Sequence, residues 1–168
     1  MEKLSLIILI GGLLSIQSIC AQTSSTIDTE VRKNSISFNA LGTASYLGIS
    51  YERLIAQRIS LEFGIGMIGY GIGATVYPFK KVKIKQFNPF IGIKYTNHAI
   101  VDGENKSATY IPLGITYFAK NKMNFSIDIG PSYFQHKSPG YRPTIEEQNR
   151  YPYSDYGIWG NFKLGFRF

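Results

Sequence analysis

The last nine residues, "GNFKLGFRF", put Phe162, Leu164, Phe166 and Phe168 at every second position, with Asn161, Lys163, Gly165 and Arg167 between them. Successive side chains of a strand point to opposite faces, so this spacing makes one apolar face and one polar face; on a helix it would smear apolar groups around the circumference. Chain ends are normally polar and frayed. A strand that stays apolar to a final Phe needs a partner for its backbone and somewhere dry for its face.

The same alternation recurs along the chain. "SISFNAL" sets Ile36, Phe38 and Ala40 against Ser35, Ser37 and Asn39, and "YLGISYE" sets Leu47, Ile49 and Tyr51 against Tyr46, Gly48, Ser50 and Glu52. "RISLEFGIGM" opposes Ile59, Leu61, Phe63, Ile65 and Met67 to Ser60, Glu62, Gly64 and Gly66. The apolar parity then moves to Tyr70, Ile72, Ala74 and Val76, which predicts a tight turn at Ile68 and Gly69. With "FIGIKYT", "IPLGITY", "MNFSIDIG" and the closing "IWGNFKLGFRF" there are eight strands of roughly nine residues, the length a tilted strand needs to cross a bilayer.

Predicted connections alternate in character. "LIAQ", "KKVKIKQ" and "AKNK" fall on the side of the chain ends and are short, two of them basic; "GTAS", the Ile68-Gly69 turn, "HAIVDGENKSA" and the long "HKSPGYRPTIEEQNRYPYSD" fall opposite. Short turns at one end and some long loops at the other are the pattern of an outer-membrane barrel with both termini in the periplasm. Pro112 and Pro131 are expected side by side at the outer rim, where bulges absorb a missing donor. Aromatic girdles are expected from Tyr51, Phe87, Tyr117, Phe125 and Phe166 near the periplasm and from Tyr46, Tyr70, Tyr95, Tyr110 and Tyr133 near the outside.

The chain begins "MEKLSLIILIGGLLSIQSICAQ", with Lys3 before an apolar run too short to span a bilayer and small residues after it, the layout of a cleaved secretory signal over residues 1–21. Bulky Ile19 before Cys20 disfavours a lipoprotein cleavage site, so cleavage is expected after Ala21. The signal contains the one cysteine; the mature chain then has no disulfide, thiol nucleophile or Cys metal site. Residues 22–33 are expected to be a flexible segment and residues 34–168 the barrel. Twelve Tyr, 11 Phe and 17 Gly with only 17% charged residues suit a membrane barrel better than a soluble sandwich.

The polar face decides which side meets oil. A soluble lipocalin-like barrel has a charged, solvated outside, whereas here that face is mostly Gly, Ser, Thr and Asn. Its few charges are Glu52, Glu62 and Asp128 against Lys94, Lys163 and Arg167, three of each sign. Buried charges are tolerable when paired, so these six predict an ion-pair network plugging a narrow lumen; water at the rims is the alternative for Glu52 and Arg167. Such a barrel conducts ions poorly. The fold class is therefore all-β: an eight-stranded antiparallel up-and-down transmembrane β-barrel behind a cleaved signal peptide.

Through the signal ending "AQ", the strand pair "YIPLGITYFAKNKMNFSIDIGPSYF" and the terminal "FKLGFRF", the chain resembles small outer-membrane barrel proteins of the Bacteroidetes lineage. The resemblance implies that Phe162, Leu164, Phe166 and Phe168 form the signal read by the barrel-assembly machinery, and that lipid and lipopolysaccharide surround the protein. It implies an architecture and a compartment, not an activity.

For chemistry, "HKSPGY" with His136, Ser138, Glu146 and Glu147 is loosely similar to the His-x-Ser pair and downstream Glu of lipid A deacylases, but Pro139 stands where that family has Asn, and strand parity turns the pair away from lipid. His98 is expected to be a solvated rim residue. The stronger expectation is a protein without catalysis, metal or cofactor, acting through membrane structure or through the 137–155 loop. There Tyr141, Arg142, Arg150, Tyr151 and Tyr153 have the enrichment of a recognition surface. A barrel for a small solute or lipid ligand is a further alternative. "KKVKIK" is expected at an anionic membrane surface rather than on nucleic acid, which an exported chain does not meet. "GIGMIGYGIG" is glycine in alternating strands with no helix to receive a phosphate.

Overall fold

The computed structural model describes residues 31–78, 82–101, 104–138 and 152–168. The signal expected over residues 1–21 lies outside them, as do Tyr141, Arg142, Glu146, Glu147, Arg150 and Tyr151. Period-2 alternation becomes strand throughout: β1 (Asn34–Leu41), β2 (Leu47–Ala56), β3 (Ile59–Gly66), β4 (Gly69–Val76), β5 (Phe87–Val101), β6 (Glu104–Tyr110), β7 (Leu113–Phe118), β8 (Met123–Ser138) and β9 (Tyr153–Arg167). Each pairs antiparallel with its neighbours, and β9 returns to β1, with Ser35 opposite Arg167 and Leu41 opposite Asn161. Because β6 and β7 both lie between β5 and β8, they are two halves of one wall strand, and the sheet closes as an eight-stranded barrel.

Closure accounts for the apolar chain end. The Phe168 N–H donates to the Asn34 carbonyl at 2.9 Å, and Asn34 donates back at 3.4 Å, so the last residue is stitched to the first strand and no edge is left there. Residues 31–33, the end of the segment expected to be flexible, are also tied: Leu54 N–H donates to the Lys33 carbonyl at 2.7 Å, and Val31 is buried.

Burial is inverted relative to a soluble protein. Ile36, Phe38, Ile49, Leu61, Ile65, Ile93, Ile127 and Leu164 are exposed on the outer face, whereas Ser35, Asn39, Ser50, Glu62, Lys94, Asp128 and Lys163 are buried in the lumen. No helix among the described residues is long and apolar enough to cross a membrane.

Four expectations need correction. The described residues of "HAIVDGENKSA" are strand: β5 runs to Val101, β6 starts at Glu104, and the strands pair up to Val101 opposite Glu104. The ends of β8 and β9 likewise carry pairing out to His136 opposite Tyr153. Beyond the short β3–β4 turn, one side of the wall therefore stands taller than the other. Pro112 and Pro131 are neighbours, with Ile111 N–H on the Pro131 carbonyl at 3.1 Å, but the taller wall leaves them midway along it, where Pro112 splits β6 from β7. Tyr110 is not a girdle residue; it is 1% exposed and points inward, as its even parity with Pro112 demands.

Candidate functional site

Eight strands enclose a space that side chains can fill, and here they fill it in layers. Nearest the chain termini is an apolar floor of Val31, Leu54, Tyr77, Phe90 and Phe118, with Val82 and Ile84 packed on it. Leu54 shares parity with Glu52, Phe90 with Lys94 and Phe118 with Thr116, so on β2, β5 and β7 inward apolar residues replace polar ones near this end.

Above the floor lie the six charges, all buried. Arg167 Nη2 donates to Glu52 Oε1 at 2.9 Å; Lys163 Nζ donates to Glu52 Oε2 at 2.5 Å and to Glu62 Oε2 at 3.3 Å. Lys94 Nζ stands 3.6 Å from Glu62 Oε2 and donates to Asp128 Oδ2 at 2.8 Å. The result is one continuous alternation, Arg167, Glu52, Lys163, Glu62, Lys94, Asp128, with the signs balanced. Register explains the need for it. Glu52 and Glu62 sit directly opposite each other on β2 and β3, a like-charge pair that is tolerable here because Lys163 reaches between them. Neutral donors complete the carboxylates: Tyr110 Oη on Asp128 Oδ1 at 3.1 Å, Asn161 Nδ2 on Asp128 Oδ2 at 3.3 Å, and Asn39 Nδ2 on Glu62 Oε1 at 3.2 Å.

A third layer comes from a connection that sequence reasoning placed outside. Residues Gly42–Ala44 form a single 3-10 turn folded into the lumen, with Thr43, Ala44 and Ser45 fully buried. Thr43 Oγ1 donates to Glu62 Oε1 at 2.7 Å, so the turn is fastened to the charge chain. Ser45 Oγ and His98 Nδ1 lie 2.6 Å apart, and His98 is buried rather than solvated at the rim. Reversing the chain inside so narrow a space needs left-handed backbone at Leu41, Gly42, Ser45 and Tyr46, φ 69, 64, 51 and 45°, a conformation that costs non-glycine residues on the order of 1 kcal/mol each. Gly64 and Gly71 make the room: a Cβ on Gly64 would lie 2.7 Å from the Thr43 carbonyl oxygen, and one on Gly71 2.5 Å from it. The sequence signal was present in "GTAS", which has no charge, facing strands with glycine at alternate positions.

At the end away from the termini, Trp159 lies edge-on among Tyr46, His98 and Phe134, with ring centroids 5.3–6.3 Å apart. His136, 8% exposed, stacks on Tyr153 at 4.2 Å, and its Nε2 is 3.4 Å from Asp155 Oδ1. This brings together one residue of the hydrolase-like pair and one of the loop recognition candidates. The Ser138 side chain, Glu146 and Glu147 are outside the described part. His136 turns into the barrel end, not towards the apolar outer face. Phe162, Leu164, Phe166 and Phe168 are all exposed on that outer face. Among the described residues no three His, Asp or Glu side chains gather as a metal site. No family model, curated protein or solved structure matches this chain.

Proposed function

We propose that the chain is an integral barrel of a bacterial outer membrane, similar to the small Bacteroidetes-type barrels. In this reading it has a lumen closed to solutes, and it contributes through membrane structure and through the surface formed by the 137–155 region, without catalysis. The observation that carries this reading is the inversion of burial: the closed wall turns a continuous apolar face outward and keeps its charges within. Exposing Ile49, Ile65, Ile93, Ile129 and Leu164 together to water would oppose folding, at roughly 25 cal/mol per Å² of apolar surface left unburied; in hydrocarbon the same face is at home. Closure of the lumen rests on its three layers, apolar floor, charge chain and inward turn. The wall at the far end carries Tyr153, 42% exposed, into the surface region.

The test is folding in detergent followed by gel mobility with and without heating, then planar-bilayer recording. A heat-sensitive fast-migrating form and at most small, unsteady conductance are expected. A folded monomer obtained without detergent, or a large stable pore, would overturn the reading. Excising residues 139–151 should leave the folded form intact and remove whatever binding the surface supports.

A further inference from the structure

Exposed cations crowd the terminal end of the barrel: Arg32, Lys33, Lys83, Lys85, Lys120 and Lys122. Of the carboxylates whose side chains are described, Glu52, Glu62 and Asp128 are buried, and Asp155 belongs to the other end. Between the β7–β8 turn and residues 31–32, three of these cations, Arg32, Lys120 and Lys122, border a cleft. Arg32, Lys120, Lys122 and Arg167 line it, against an apolar wall of Val31, Ile84, Phe118 and Met123. Its volume, about 40 Å³ counted over positions open to a water's centre, exceeds the roughly 10–15 Å³ that one water requires. The cleft therefore admits a group of a few heavy atoms.

Arg167 is 2% exposed, and its terminal nitrogens are engaged by Glu52 and by the Arg32 carbonyl, yet its Nε has no hydrogen-bond partner. Among the described residues no carboxylate pairs with Arg32, Lys120 or Lys122; Lys122 Nζ instead lies 5.8 Å over the Phe166 ring. Three unneutralised cations around one small cleft repel each other, and an anion with several acceptor oxygens relieves that repulsion while accepting their hydrogen bonds. Met123, 42% exposed, carries the apolar wall round to the outer face of the barrel. A group seated among the cations can thus continue as an apolar chain along Met123.

We propose that this cleft is a binding site for a phosphate group, carried by an anionic lipid headgroup or free in solution. The site stands on the geometry of the cleft alone; only its lipid source rests on the membrane reading above.

Isothermal titration of the detergent-folded chain tests it in two arms, inorganic phosphate and short-chain phosphatidylglycerol in the same micelles. The variants are K120Q/K122Q, which empties the cleft rim, and K83Q/K85Q, which removes equal charge from the same end outside the cleft. Saturable binding is expected in at least one arm, weakened about tenfold by K120Q/K122Q and less than about twofold by K83Q/K85Q. K120Q alone should weaken it about threefold and keeps the test open if the double variant misfolds, since Lys122 occupies a left-handed backbone position, φ 72°. Tighter binding of phosphatidylglycerol assigns a lipid headgroup, and binding of phosphate alone assigns the free ion; both uphold the site. Equal weakening by the two double variants, which is diffuse surface charge, or no saturable heat in either arm, overturns it.

Discussion

Glu62 shares one carboxylate oxygen with the inward turn, through Thr43, and turns the other to Lys163 and Lys94. Removing its charge leaves Lys163 with Glu52 and Lys94 with Asp128, but it breaks the chain at its centre and unfastens the turn. Breaking a buried pair costs about 3–5 kcal/mol, so Glu62→Leu should lower the unfolding midpoint clearly in a detergent denaturation series. Ile65→Leu is an apolar exchange on the outer face, where Ile65 is 59% exposed, and should fall within about 0.5 kcal/mol. Coincident midpoints for the two variants would mean that the lumen charges are wet. Lumen residues of this kind were legible in the sequence because strand parity is strict: Leu61 and Phe63 could not both turn inward, so Glu62 had to. Tyr110 was open to the same logic, and its inward place follows from parity once aromatic character is set aside.

Among the elements, the inward turn is the least legible from sequence. Parity assigns faces to strands but says nothing about the path of a connection, and "GTAS" has the length of an ordinary hairpin loop. Its signal is spread over the partner strands, where Gly64 and Gly71 leave space that only the folded barrel brings beside Thr43. Gly64→Ala places a Cβ within 2.7–2.9 Å of the Thr43 and Ala44 backbone, and overpacking of this sort costs about 1–3 kcal/mol. Gly157→Ala meets the Phe134 ring at 2.9 Å, a side chain that can rotate aside, and should cost distinctly less. Midpoints measured side by side check this; the reverse order would mean that the turn does not occupy the lumen. The long β5–β6 and β8–β9 walls are hard to see in the sequence for a related reason. "HAIVDGENKSA" is polar and carries charges, which suits a loop, yet strands that stand above an apolar belt have no need of apolar alternation.

For the whole molecule, eightfold closure, antiparallel order and the pairing of the last strand with the first followed from alternation and from the apolar terminus, because an even closed sheet is the arrangement that leaves no edge. What alternation could not supply is the filling: an apolar floor, a charge chain and a folded-in turn are set by which inward residues meet across the lumen, a long-range property. The central claim is that the outward face meets lipid and the inward face does not. It is tested most directly by fluorescence in vesicles of phospholipid brominated along the acyl chain. Trp159, the single Trp, lies among Tyr46, His98 and Phe134 inside the barrel end and serves as the internal reference. Phe162→Trp adds a reporter on the outer face, where Phe162 is 43% exposed. Strong quenching of the added Trp with little quenching of Trp159 is the predicted result; an unquenched Trp at position 162 in inserted protein would contradict the account.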